Sequence, residues 1–187
     1  MAEKQFDPQA IATTLMGCVQ DAFEKMCRIS FSQQPELKQK EIIEYESRMR
    51  LFGLEKFNGP CYIGVINLYA DKNALDQKNT CGLVALFVKE DIAPDLAKAM
   101  GNKGLDVEDP EIIKDTVGEL CNVIVGQFLN ELRAFGYKDI TISAPIKDYN
   151  DVPEGVDFPY NETKYYEITF FVKKEKTFVI NVAIAPV

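Results

Sequence analysis

The stretch Asp115-Thr116-Val117-Gly118-Glu119-Leu120-Cys121-Asn122-Val123-Ile124-Val125-Gly126 decides how this chain folds. At about 100° per residue, Val117, Leu120, Cys121, Ile124, Phe128, Leu132 and Phe135 fall in one sector, which marks a long amphipathic helix with that sector as its core face. Asp115, Glu119, Asn122 and Gly126 cluster on the opposite side. Glu119 and Asn122, three apart, stand about 5–6 Å from each other at Cβ, near enough to address one small target together. Gly126 costs the helix roughly 1 kcal/mol relative to Ala, and its bare backbone lets another surface come close beside Asn122. Spacing alone is weak support for a site, because most Glu and Asn residues on an outer helix face are simply solvated.

Working outward, Asp109-Pro110-Glu111 is a strong helix start: a capping carboxylate, a proline at the first position and an acid near the positive end of the dipole. The helix is expected to run to Phe135 and stop at Gly136. A second amphipathic helix is predicted over Pro8–Met26, capped by Asp7, with Ile11, Leu15, Cys18, Val19, Ala22 and Met26 on one face. Its outer face carries Thr13, Gln20 and Glu24, without a Glu-x-x-Asn pair. Strand-like segments are expected at Ile42–Leu54, Cys61–Tyr69 and Leu83–Val88. Turn signals at Asn58-Gly59-Pro60 and Asp71-Lys72-Asn73 separate them. Lys72–Thr80 reads as an exposed loop, Pro94–Met100 as a short helix and Asn102–Glu108 as linker. Ile140–Ile146 reads as a strand. Lys147–Glu162 reads as a long solvated loop pinned by Phe158 and Tyr160, and a hairpin pairs Tyr165–Val172 with Phe178–Ile184.

The order is helix, three strands, helices, three strands. It predicts a single α+β domain over residues 1–187, two-layered, with long helices packed on one face of a mostly antiparallel six-stranded sheet. The two halves would be pseudo-twofold related α-βββ units.

Composition narrows the chemistry. The chain has 187 residues, 47% hydrophobic and 27% charged, which is ordinary for a globular domain. Its net charge of −8 opposes binding to nucleic-acid phosphate or anionic lipid. No apolar run is long enough to span a bilayer, and Met1–Asp7 lacks the plan of a secretory signal, so a cytoplasmic location is expected. Histidine is absent, and the five cysteines form no Cys-x-x-Cys pair. The common zinc patterns and His-based nucleophile triads are therefore excluded within the chain. Neither a Gly-x-x-x-x-Gly-Lys-Ser/Thr loop nor a Gly-x-Gly-x-x-Gly turn is present, which argues against nucleotide cradling. Catalysis would have to rest on carboxylates, amides, lysines or hydroxyls, or borrow reactive groups from a partner.

The pattern Asp115-x-x-x-Glu119-x-x-Asn122-x-x-x-Gly126, followed by Glu131-Leu132 and Gly136-Tyr137, resembles the signature of the CheC/CheX/FliY chemotaxis phosphatases. The helix Cys18–Met26 and the closing segment Phe178–Ile184 are similar to the same family. With one copy of the motif rather than two, the resemblance is to CheX-type members. It implies hydrolysis of the aspartyl phosphate of a CheY-type response regulator. Glu119 would pair with a receiver lysine and Asn122 would hold the attacking water, with Asp115 and Gly126 as secondary contacts to the partner. Arg133 lies on roughly the same stripe. The resemblance also implies a homodimer, no metal or cofactor in this chain, and a divalent metal, Mg, carried by the receiver. A non-catalytic CheC/FliM-like module that binds response regulators is the alternative. A ligand-binding or scaffold domain in which the exposed pair is incidental is the third reading.

Overall fold

The computed structural model describes residues 6–101, 104, 106–159 and 161–187. Met1–Gln5, part of the expected Asn102–Glu108 linker and the Tyr160 pin lie outside the described residues.

Helix α1 spans Pro8–Cys27, and Asp7 caps it by accepting from the Ala10 N–H at 3.0 Å. Its Ile11, Leu15, Cys18, Val19, Ala22 and Phe23 are buried. Helix α5, Pro110–Leu132, is capped by Asp109, which accepts from the Glu111 N–H at 2.9 Å. A 3₁₀ turn over Arg133–Phe135 extends it to Gly136. The expected core sector is buried apart from the half-buried Phe135, and it widens to include Ile113, Thr116, Gly118 and Val125. Tyr137 follows, with its hydroxyl donating to the Ala185 carbonyl at 2.6 Å and so fastening the end of α5 to the sheet.

The strands are β1 Glu36–Glu41, β2 Glu44–Tyr45, β3 Arg48–Met49, β4 Cys61–Tyr69, β5 Gly82–Lys89, β6 Thr141–Ile142, β7 Ile146–Tyr149, β8 Lys164–Val172 and β9 Glu175–Ile184. Short helices fill the remaining turns: α2 Leu54–Phe57, α3 Lys72–Asp76 and α4 Ala93–Ala99. The main sheet is antiparallel and runs β1-β8-β9-β5-β4-β6, with β7 also pairing β4. The expected six-stranded sheet thus holds seven strands, because its last place is split between β6 and β7. Pro145, which has no N–H to donate, lies at the break. The order is a palindrome of the two halves: exchanging β1 with β6/β7, β4 with β8 and β5 with β9 returns the same sheet. The two halves, expected as pseudo-twofold α-βββ units, thus meet between β9 and β5.

Three local expectations are corrected. Ile42–Leu54 is not one strand. The first-half edge strand is β1, whose Glu-Leu-Lys-Gln-Lys-Glu sequence carries no apolar alternation, and residues 44–49 form a separate two-stranded hairpin. Lys72–Thr80 contains α3, capped by Asp71 through the Ala74 N–H at 2.8 Å. Lys147–Glu162 is not a solvated loop, since β7 extends into it and Val152 and Val156 are buried.

α1, α4 and α5 cover one face of the sheet. The other face carries Ile63, Val65, Leu83, Ala85, Phe87 and Val179, and it is roofed by Met49, Leu51, Val152 and Val156. Met49 and Val156 exchange backbone hydrogen bonds at 2.9 Å each way, and the Arg48 guanidinium donates to Asp157 at 2.9 Å. The β2–β3 hairpin and irregular chain therefore close the face away from the helices, which explains why β4 is buried along its whole length.

Candidate functional site

Two glycines and a cysteine seat α5 on β4 beneath the exposed stripe. A Cβ added at Gly64 would lie 3.1 Å from the Val117 carbonyl oxygen, 3.2 Å from Cys121 Cβ and 3.5 Å from Gly118 Cα. Strand and helix backbones are thus nearly in contact at the turn that carries Glu119 and Asn122. The Cys121 thiol donates to the Gly64 carbonyl at 3.4 Å. Burial raises the Cys121 thiol pKa to about 12, so it sits here as a small neutral core group.

On the outer side, Asp115, Glu119, Asn122 and Gly126 are all exposed. Among the described residues, neither the Glu119 nor the Asn122 side chain has a hydrogen bond or ion pair within the chain. Asp115 differs: the Lys147 ammonium, from β7, is bonded to it. To reach it, the Lys147 stem crosses Gly118, where a Cβ would come within 2.7 Å of its Cδ. Asp115 is thereby neutralised locally and Glu119 keeps an unshared charge. Gly126 faces open space, with nothing within 4 Å of an added Cβ. One turn further on, Gln127, Asn130 and Glu131 join Gly17, Asp21 and Lys25 of α1 in an open groove of about 490 Å³. Arg133 is exposed beyond it.

The four stripe residues chosen from the sequence are therefore brought together. Lys147 and Gly64 were missed. Their signals were a glycine inside a good helix, at position 118, and a glycine inside an apolar strand, at position 64.

In chemical terms the stripe offers one carboxylate and one neutral amide on a rigid support. An amide donates and accepts hydrogen bonds without titrating. Among the described residues, no group of three or more Cys, Asp or Glu is gathered so as to hold a metal ion. All five cysteines are free and buried, with thiol pKa values raised by burial to about 11 or 12. Among the described residues, no helix is long and apolar enough to cross a membrane.

Residues 75–152, which include the whole stripe, match the family described as chemotaxis phosphatase CheX. No curated protein sequence matches the chain. Among solved structures, a chemotaxis protein CheX from Desulfovibrio desulfuricans superposes with a TM-score of 0.64 at 16% identity, covering 94% of this chain and 99% of that one. The CheX–CheY–BeF3–Mg complex from Borrelia burgdorferi matches with a TM-score of 0.60 at 16% identity, covering 94% and 98%. FliY from Thermotoga maritima matches at 0.54 and 15%, covering 99% and 93%. The α+β architecture is thus the CheX/CheC-type fold, and the resemblance carried by α5 extends to the fold of nearly the whole chain.

Proposed function

We propose that this protein is a CheX-like phosphatase that hydrolyses the aspartyl phosphate of a CheY-type response regulator. The observation that carries the reading is the pair Glu119 and Asn122, exposed and unpaired among the described residues, on a helix turn clamped to the sheet at Gly64. Further support comes from the family match over residues 75–152 and from a related fold solved as a complex with CheY.

In this reading Glu119, whose charge no described residue shares, forms an ion pair with a receiver lysine and sets the docking register. Asn122 enters the receiver's site and holds a water in line with the phosphorus. Phosphoryl transfer responds mainly to positioning and electrostatic stabilisation, so a neutral amide on a rigid support suffices. The divalent metal, Mg, and the phosphorylated carboxylate belong to the receiver. Asp115 is held by Lys147 and shapes the edge of the stripe, while Gly126 leaves room for the partner's backbone. The reading includes a cytoplasmic homodimer, checked by the mass in sedimentation equilibrium.

The test is the decay of phosphorylated receivers with wild type, Asn122→Ala and Glu119→Ala. Expected is acceleration by wild type, its loss with binding retained in Asn122→Ala, and weakened binding in Glu119→Ala. Unchanged decay of every candidate receiver with wild type would refute hydrolysis, and binding without acceleration would assign the chain to the non-catalytic alternative.

A further inference from the structure

The face of the sheet away from α5 holds a cleft of about 400 Å³, within the size range of small-molecule sites. Its floor is the cross-strand pair Glu167 on β8 and Asn181 on β9, and α2 supplies one wall through Lys56. The polar content of this cleft is unusual for a sheet face. Glu167 and Asn181 are 3% and 1% exposed, and Lys56 is 9% exposed.

Glu167 is shared by two ammoniums. Lys56 bonds one carboxylate oxygen, and Lys40 reaches the other at 2.8 Å. Burial pushes the Glu167 pKa up, but the two cations outweigh it, so the carboxylate is held below its ordinary range. A third ammonium, Lys176, lines the same cleft and has no ion-pair partner among the described residues. It lies 5.9 Å from the Phe57 ring centroid. Burial and the neighbouring Lys40 and Lys38 charges lower its pKa, while Glu167 opposes them. Glu41 and Glu55 sit exposed at the rim, and Glu41 faces Lys164 at 4.0 Å. Inside the cleft Lys56 and Lys176 therefore face one buried carboxylate, while Lys40 is exposed at the rim with Glu41 and Glu55, and Arg50 is paired with Asp151. Asn181 adds a second unmet demand: its Oδ1 is buried without a hydrogen-bond partner. A buried acceptor left unpaired keeps its full desolvation penalty, so such an atom calls for a donor. Tyr165 and Phe52 supply apolar wall beside these groups.

We infer that this cleft binds a small organic anion, with its acidic group on Lys176 and a hydroxyl or amino donor on Asn181 Oδ1. The ligand class follows from surplus positive charge, an unfilled acceptor and aromatic walls in one cleft. The cleft lies across the sheet from Glu119 and Asn122, so an occupant leaves the α5 stripe free for a protein partner.

The experiment is a titration of the isotope-labelled full chain, followed by nuclear magnetic resonance at the Asn181 side-chain amide and the Glu167 and Lys176 backbone amides. The probes are 4-hydroxybenzoate, benzoate and inorganic phosphate. Expected are saturable shifts at these amides with 4-hydroxybenzoate, weaker binding of benzoate by about 2- to 10-fold for lack of the donor, and unmoved Glu119 and Asn122 signals. Lys176→Met should weaken 4-hydroxybenzoate at least tenfold, with Lys176→Gln standing in should the methionine variant fail to fold. Absence of saturable shifts with all three probes at millimolar concentration would overturn the inference, as would undiminished binding to a folded Lys176 variant.

Discussion

Replacing Gly64 by alanine tests how α5 is held. The added methyl would lie 3.2 Å from Cys121 Cβ and 3.1 Å from the Val117 carbonyl oxygen. Relaxed carbon–carbon contacts fall at about 3.5–4.0 Å, so helix and strand must separate by roughly 0.3–0.8 Å. The second close atom is backbone, so a rotamer change cannot relieve the clash. Overpacking of this kind costs about 1–3 kcal/mol, and alanine recovers about 0.5–1 kcal/mol of the glycine's entropic cost in a strand. The net expectation is a loss near 1 kcal/mol, or about 2–4 °C in Tm for a domain of this size. Function should suffer more. A misplacement of about 1 Å can cost 10²-fold in a positioned reaction, so a shift near half that should lower receiver dephosphorylation roughly tenfold. Urea unfolding and the receiver-decay assay, run on the same preparation, measure both effects. Gly17→Ala, where nothing lies within 4 Å of the added Cβ, is the control. A Gly64→Ala protein as stable and as active as the parent would refute the claim that this close approach sets the position of the stripe.

Three further outcomes are expected. Gly126→Ala should raise stability by about 0.8–1 kcal/mol, since the site is helical and open, yet lower receiver dephosphorylation by obstructing the approach beside Asn122; a denaturant melt and the decay assay moving in the same direction would contradict this. Glu167→Gln leaves the buried Lys56 without its carboxylate and should cost about 3 kcal/mol at neutral pH. Because the folded-state value of Glu167 lies below its ordinary 4.5, its contribution is in place above that pH and fades as pH falls through the lower folded value. Urea midpoints should therefore drop more steeply below pH 4.5 in the parent than in the variant. A double-mutant cycle on Asp115 and Lys147 should give a coupling of about 0.2–1 kcal/mol that shrinks with added salt, and zero coupling at low salt would dissolve the pair.

Much of this architecture was legible because its signals are local. Asp7 with Pro8 and Asp109 with Pro110 start helices by capping chemistry, and the period of α5 marks its buried face. Cys61–Tyr69 reads as a strand from its branched and aromatic residues. What escaped depends on contacts far apart in sequence. β1 is polar because it is an exposed edge, and only its pairing with β8 makes it a strand. Val152 and Val156 are buried because residues 48–51 meet them, a contact across about a hundred positions that no window can contain. The absence of apolar–polar alternation in β4 and β5 was the available sign that both faces are covered. The stripe itself was readable as a wheel, whereas Lys147 was not, since it arrives from another strand.

The palindromic sheet has a consequence for biogenesis. Its two middle positions are filled by β5 and β9, segments separated by most of a hundred residues, and β1 has no neighbour until β8 exists. A ribosome therefore releases β4 and β5 long before their inner partner is made, with an apolar edge waiting in the meantime. Sheets assembled from such distant pairings fold slowly and leave aggregation-prone surfaces exposed. Because strands of each half pair with strands of the other, a chain cut in the α4–α5 connection is expected to regain its shape only by reassembly of both fragments.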